Sequence, residues 1–391
     1  MVQAMSLFNQ LLRHFPSLEF AALVKKHQAE RAAKGFGCRT QLVAMLFCQL
    51  AHADSLREIC NGLACCLGKL VHLGIDVAPN KSTLAYANQH RPAKLYEELF
   101  YTALGRFRDE QGLGLRKQKF RFKNKLLSLD STTISLCLEM FPWAKFRRAK
   151  GGVKAHVLLD HDDYLPRYVL ITEAKCSDVK MAEAFPLNPG SIVVMDRGYN
   201  DYALFGQWTD QKIYFVTRLK DNAAYQVLAE GPIPANRNIR SDQLIQFTGE
   251  KAQKDCPSLL RRVAVWDALN EREIVLLTNL QEFGATTIAA IYKDRWEIEL
   301  FFKALKQNLK VKSFVGTSEN ALRIQIWTAL IAILLLKWLH HLSQAKWSLS
   351  NLASMLRMNL FTYRDLRAWL DNPFGTPPII PQSQQLTLGL M

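Results

Sequence analysis

The stretch LLSLDSTTISL, Leu126–Leu136, decides how this chain is read. A short apolar run gives way to apolar and hydroxyl residues in near alternation, a pattern of period two that suits a half-buried strand and not a helix face. Upstream, from Ser6 to about Leu113, apolar residues recur instead at spacings of three and four, with helix start signals at Thr40, Asp54 and Ser82. Downstream, HVLLDHDDYLPRYVLITEA reads as a hairpin turning at His161 to Asp163, and a short helix follows near Asp178 to Phe185. SIVVMDRGY is an apolar strand that stops at Asp196; a helix around Tyr202 to Trp208 and the strand KIYFVTRLK come next. Elements in this order predict an α/β unit, a mixed sheet flanked by helices, behind an all-α N-terminal unit.

Between about Asn222 and Asn279 the alternation of strand and helix lapses, and LIQFT, LLRRVAVWD and EIVLLTN read as a β-rich insertion. Helical pattern returns at about Thr286 and runs to about Leu370, and the Pro- and Gln-rich ending is expected to be disordered. The expected organisation is a helical DNA-binding unit over 1–113 and a core over 114–320 interrupted at about 222–279. C-terminal helices over 321–373 and a tail over 374–391 follow.

Within 391 residues, 50 Lys and Arg stand against 35 Asp and Glu, a net charge of +15 that speaks for a polyanionic partner or an acidic membrane surface. Most of the excess is local: eleven basic residues lie between Leu115 and Lys154, against Asp130 and Glu139 alone. The eight cysteines form no regular framework, and Cys60, Cys65 and Cys66 sit in an apolar helical stretch that reads as buried thiols in a reducing compartment. No signal-type segment opens the chain. The apolar run IQIWTALIAILLL is shorter than the ~20 residues that cross a bilayer, so it is expected to be a buried helix and no membrane partner is expected.

Three carboxylates stand in distinctive places: Asp130 at the end of an apolar strand, which it follows, Asp196 at the end of another, and Glu299 within the helix YKDRWEIELFFKALKQ. On one helix, Tyr292, Arg295, Glu299 and Lys306 would share an arc of roughly 60°. Each acid alone has an ordinary reading. A strand-end Asp is a turn former or helix cap, and Glu299 is an intrahelical partner of Arg295 or Lys303. Together they point to phosphoryl chemistry, because a hard divalent cation takes oxygen ligands from separate elements while Arg and Lys take phosphate oxygens.

LDSTT, VVMDRGY and YKDRWEIELFFKALKQ resemble the three acidic motifs of DDE transposases, specifically the insertion-sequence-four family with its Y-x2-R-x3-E-x6-K signature. That signature is met by Tyr292, Arg295, Glu299 and Lys306, and the D-x-G-Y form of the second motif by Asp196, Gly198 and Tyr199. The likeness runs from about Leu126 to Asn320. It implies an RNase H-like core in which Asp130, Asp196 and Glu299 hold two magnesium ions, with manganese as a substitute. It implies cut-and-paste transposition through a hairpin intermediate, acting on double-stranded DNA at terminal inverted repeats and at a target. It also implies a homodimer on DNA and a bacterial, cytoplasmic, nucleoid-associated protein. Arg295 and Lys306 are then assigned to phosphates of the transferred strand, and Tyr292 to a phosphate beside the scissile bond.

Other residues carry open alternatives. Lys150, Lys154 and Arg197 either line a DNA channel or are plain surface charge. Trp266 either stacks on a flipped base or fills the core. His156 and His161 read as hairpin positions, since magnesium prefers oxygen donors. NKSTLAYANQHRP is either an ordinary bundle helix or the second helix of a helix-turn-helix, offering Lys81, Ser82, Thr83, Asn88, Gln89 and Arg91 to DNA. Two rival functions share parts of the pattern: another nuclease of the same fold, such as a junction resolvase, and a non-catalytic DNA-binding regulator.

Overall fold

The computed structural model describes residues 5–31, 33–66, 70–109, 112–113, 119–137, 139–147, 150–235 and 237–379. The chain divides into two compact units, Met1–Leu113 with Ala304–Met391, and Gly114–Lys303. The C-terminal helices therefore join the N-terminal ones in a single unit instead of standing apart, and the division falls at Lys303, not near residue 320.

The helical unit begins with α1 (Leu7–Arg13), α2 (Ser17–Lys26), α3 (Cys38–Ala51), α4 (Leu56–Ala64), α5 (Lys81–His90) and α6 (Lys94–Asp109). The N-caps Gly37, Ser55 and Asn80 lie one to three residues from the expected start signals. The sheet-bearing unit follows with β1 (Leu126–Leu136), β2 (Lys145–Arg147), β3 (Lys150–Asp160), β4 (Leu165–Glu173), α7 (Asp178–Glu183), β5 (Ile192–Met195), α8 (Tyr202–Asp210) and β6 (Tyr214–Arg218). It continues with β7 (Tyr225–Glu230), β8 (Ile239–Phe247), α9 (Glu250–Asp255), β9 (Leu260–Asp267), β10 (Arg272–Thr278), α10 (Ala285–Asp294) and the start of α11 (Trp296–Asn308). The helical unit is completed by α12 (Glu319–Leu342), α13 (Leu349–Asn359) and α14 (Leu366–Asp371).

All ten strands belong to one mixed sheet, in the order β2-β3-β1-β5-β6-β10-β9-β8-β7, with β4 also on β3. β1, β5 and β6 run parallel, and the remaining pairs are antiparallel. The β-rich segment extends this sheet, because β10 pairs with β6 and carries β9, β8 and β7 outward. Each face buries its own core. Leu127, Leu129, Val193, Met195 and Phe215 pack with Leu204, Phe205 and Trp208 of α8. Leu126, Ile192, Val194 and Val216 pack with Ile288 and Ile291 of α10.

In the helical unit α12 is long and apolar enough to span a bilayer, yet almost all of its length is buried within the protein. Its Trp338 stacks on Phe107 of α6 at 5.1 Å, and its Gln325 is wholly buried, donating to the carbonyls of Lys310 and Ser313 and accepting from the Val315 N–H at 2.9 Å. A core helix satisfies that burial, as the sequence predicted. Cys60 and Cys66 are buried, but Cys65, the residue that ends α4, is exposed, so the expectation of a third buried thiol fails. Residues 374–379 lie beside α14, with Thr376 Oγ1 donating to the Ala368 carbonyl. The rest of the expected tail lies outside the described residues.

Two glycines give a test of the packing. A Cβ at Gly206 of α8 would overlap the Asp255 carbonyl oxygen, whereas one at Gly105, inside α6, would meet nothing within 4 Å. Gly206→Ala is expected to destabilise the protein by about 1–3 kcal/mol. Gly105→Ala is expected to stabilise it by up to about 1 kcal/mol by restricting the unfolded chain. Urea unfolding of both variants checks this, and equal effects would contradict the α8–α9 packing.

Candidate active site

Alternation along β1 aims Asp130. Leu126, Ser128 and Asp130 are on the face that meets α10, while Leu127 and Leu129 point to the α8 side. β5 pairs with β1 in the register Leu126↔Ile192 and Ser128↔Val194. One further step of that register sets Asp130 level with Asp196. Asp196 caps a short 3-10 turn, Arg197–Tyr199, just past β5. Asp130 is not at a strand end, contrary to the sequence reading: it is the fifth residue of an eleven-residue strand that pairs with β3 along most of its length.

The third motif is two helices, not one. α10 ends at Asp294, Arg295 makes a tight turn with its N–H on the Tyr292 carbonyl at 3.3 Å, and α11 starts at Trp296. The interruption is one residue long, with Arg295 itself at φ −50° and ψ −31°, and it leaves Tyr292, Arg295 and Glu299 side by side. The Arg295 guanidinium faces the acids. Its Nη2 donates to Glu299 Oε1 at 2.9 Å, and its Nη1 is 4.0 Å from Asp130 Oδ2. The guanidinium carbon also sits 5.6 Å from the Tyr292 ring centre. Lys306 is in the last turn of α11, within the helical unit, where burial and then Lys312 lower its pKa.

Charge is concentrated on Asp130. Burial pushes its carboxyl up to about 6; the Ser131 N–H and Arg295 pull it down, and Glu299 and Asp196 push it up. Asp196 and Glu299 thus both lie within electrostatic reach of Asp130. Burial likewise raises the Tyr292 phenol, with Arg295 opposing and Asp196 adding. The donors are all carboxylate oxygens, which suits a hard divalent cation. Among the described residues no three acidic, His or Cys groups converge tightly enough to hold an ion, and Arg295 lies between Asp130 and Glu299 as their counter-charge.

A second cluster was not read from the sequence. Ser131 Oγ donates to Asp178 Oδ1 at 2.8 Å, and Lys154 Nζ donates to Asp178 Oδ2 at 3.0 Å and to the Cys176 carbonyl at 3.2 Å. The fully buried His156 is 3.4 Å from the same carboxylate, its pKa pushed down to about 4 by burial. Lys154 is therefore turned inward into an ion pair and not towards a channel. The Tyr199 phenol is raised by burial and by Asp130 and Asp178. Only the serine next to Asp130 hinted at this cluster, because its other members are brought in by β3 and α7.

The remaining expected residues fall as follows. Arg197 is half exposed, 3.4 Å from Asp221. The Lys150 side chain and residues 114–118 lie outside the described part. Trp266 of β9 is partly buried with Arg240 above its ring at 5.3 Å. In α5, Lys81, Ser82, Thr83 and Gln89 are exposed, together with Tyr86 stacked on His90 at 4.0 Å. Asn88 and Arg91 are withdrawn from that surface: Gln41 Nε2 donates to Asn88 Oδ1 at 2.8 Å, and Arg91 Nη1 donates to Gln41 Oε1 at 3.1 Å.

Comparison with known proteins adds independent findings. A family model described as a transposase DDE domain matches residues 121–335, and one described as a domain of unknown function matches residues 3–76. A putative transposase of Sinorhizobium fredii is 32% identical over 79% of this chain and 84% of its own length. A probable insertion-sequence transposase of Geobacillus stearothermophilus is 33% identical over 57% of this chain and 59% of its own, and a putative one of Synechocystis is 27% identical over 66% and 71%. The cryo-EM structure of a piggyBac transposase synaptic complex with hairpin DNA aligns over 94% of this chain and 81% of that one, at 11% identity and a TM-score of 0.41.

The raised Asp130 pKa has a definite sign. A carboxyl that holds its proton more tightly in the fold than in the unfolded chain favours the fold at low pH, and that advantage is lost as pH rises from about 4 through about 6. In chelator-treated protein, Asp130→Asn is therefore expected to be more stable than the parent above pH 7, by up to about 3 kcal/mol, and no more stable at pH 4.5. Thermal unfolding at the two pH values checks it; a gain of the same size at both would remove the electrostatic explanation.

Proposed function

Since the chain belongs to the transposases with a DDE domain, we propose that it cuts DNA at the ends of an insertion sequence and joins the freed 3′ ends to target DNA, with Asp130, Asp196 and Glu299 as its catalytic residues. The observation that supports this reading is that Asp196 and Glu299 both lie within electrostatic reach of the buried Asp130 carboxyl, with Arg295 as the neighbouring cation. A structural ion pair would match charges; this cluster keeps negative charge in excess, as a cation site for phosphate chemistry must.

Asp130, Asp196 and Glu299 would hold magnesium, with manganese as a substitute, in a two-ion arrangement. When bound, such ions supply an activated water and stabilise the departing 3′ oxygen. In the first reaction the water oxygen joins the phosphorus, the bond from phosphorus to the 3′ oxygen breaks, and the 3′ oxygen takes a proton. In the second, the freed 3′ hydroxyl oxygen bonds to a phosphorus of the target strand, the bond from that phosphorus to its own 3′ oxygen breaks, and the proton lost by the hydroxyl passes to that departing oxygen.

Arg295 would pass from the carboxylates to phosphate oxygens, for which its planar fork is well matched. Tyr292, held under Arg295, would contact a phosphate on the Asp196 side. Lys306 and Arg197 are assigned to the DNA backbone. The spacing of Tyr292, Arg295, Glu299 and Lys306 supports membership of the insertion-sequence-four branch and its hairpin route. The exposed face of α5, with Lys81, Thr83, Tyr86 and Gln89, suits duplex DNA. Holding two ends together calls for two copies of the chain, acting on the chromosome in a bacterial cytoplasm.

A supercoiled plasmid carrying a marker between the DNA segments that flank this gene is the substrate for the test. With magnesium, the parent protein is expected to release the marker, and Asp196→Asn and Glu299→Gln are each expected to lower that rate more than about 100-fold. Both should still bind the flanking duplex in chelator. Excision by either variant at the parent rate would refute the assignment and leave a DNA-binding regulator as the better account.

A further inference from the structure

Two residues before Asp130, on the same face of β1, lies Ser128, whose side chain is fully buried. Its Oγ is 2.6 Å from His161 Nε2, and His161 Nδ1 is 2.6 Å from Asp294 Oδ2. Because a carboxylate only accepts, Nδ1–H is the donor to Asp294, and Nε2 shares the second hydrogen bond with the serine hydroxyl. The order Ser–His–Asp is that of a hydrolase, yet all three groups are buried, so no substrate reaches the serine. Their position in the fold says what they do instead.

We propose that Ser128, His161 and Asp294 are a positioning relay that locks the turn bearing Arg295 and Glu299 onto the strand bearing Asp130; the inference rests on the catalytic reading of those acids given above. Asp294 is the last residue of α10 and immediately precedes Arg295, the residue at which the helix is broken. Both of its oxygens are held. Lys119 Nζ donates to Oδ1, while Oδ2 takes the His161 proton, with the Tyr164 hydroxyl at 3.5 Å. His161 is itself tied to β1 a second time, its main-chain N–H donating to the Leu126 carbonyl at 3.2 Å. The Tyr164 ring, on a residue with φ of +54°, packs edge-on against the imidazole at 5.6 Å.

The relay joins residue 128 to residue 294, and so fixes the separation of 130 from 295 and 299 by short links at both ends. A buried carboxylate gains this much bonding only in one orientation of the α10–α11 turn, so the turn has little freedom to rotate. If Asp294 served stability alone, its loss would lower the unfolding temperature and leave the folded protein's cation affinity unchanged. A positioning role ties the two together.

The test compares the parent, Asp294→Asn, Ser128→Ala and Glu299→Gln as full-length proteins, at a temperature where circular dichroism shows each to be folded. The readouts are calorimetric binding of manganese to the DNA-free protein, single-turnover cleavage of the gene's flanking duplex, and affinity for that duplex in chelator. Asp294→Asn is expected to weaken manganese binding and cleavage together by about tenfold or more, and Ser128→Ala by less in the same direction, with duplex affinity unchanged. Unchanged manganese binding and cleavage in folded Asp294→Asn and Ser128→Ala overturn the proposal. Should Asp294→Asn fail to fold, Ser128→Ala decides alone. Inactive Glu299→Gln beside fully active Asp294→Asn and Ser128→Ala sinks the relay and spares the catalytic reading; active Glu299→Gln sinks that reading, and the relay with it.

Discussion

Burial of the Asp130 carboxyl, made costlier by repulsion from Glu299 and Asp196, is the constraint on which the candidate site in the sheet-bearing unit depends. A carboxyl whose burial and neighbours raise its pKa to about 6 works against the fold at neutral pH. The chain tolerates this because each acid is anchored on a separate rigid element: the middle of β1, the turn after β5, and the first turn of α11. Arg295 moderates the repulsion without cancelling it. Strain of this kind is characteristic of sites where a cation or a reacting group is to be bound.

β1 carries more of the arrangement than any other strand. Its period of two sends leucines into the α8 core and Ser128 and Asp130 towards α10. Ser128 leads to His161 and Asp294, and Ser131 leads to Asp178, Lys154 and His156. Asp130 thus sits between two buried hydrogen-bonded clusters. Polar clusters of this sort specify one arrangement because each member is costly to leave unpaired.

The helical unit follows a simpler rule. α12 is apolar over most of its surface and is buried there among α3, α5, α6 and α13, with Gln325 and Thr328 as buried polar side chains and a half-buried Asn320 near its start. Asn320 Nδ2 donates to the carbonyls of Asn88 and Arg91 and so holds the end of α5, leaving its Ser82, Thr83, Tyr86 and Gln89 side outward. The same clamp explains why Asn88 and Arg91, polar and next to exposed positions, are buried: they are part of the internal bonding of the unit.

By itself the sequence determined the elements and the kinds of residue at the site. Period two at Leu126–Leu136, the apolar strand before Asp196, and the acids with Tyr292 and Arg295 were all legible, because strand faces and motif spacing are local properties of the chain. The tertiary structure decided the rest. Pairing of β10 with β6 merges the β-rich segment into the sheet, the packing of α10 on β1 brings the Arg295 guanidinium to 4.0 Å from Asp130, and Lys154 bends inward to Asp178. None of these is written in a local pattern. Which side chain meets which across more than a hundred residues depends on strand order and register, and those are settled only when the whole sheet has formed.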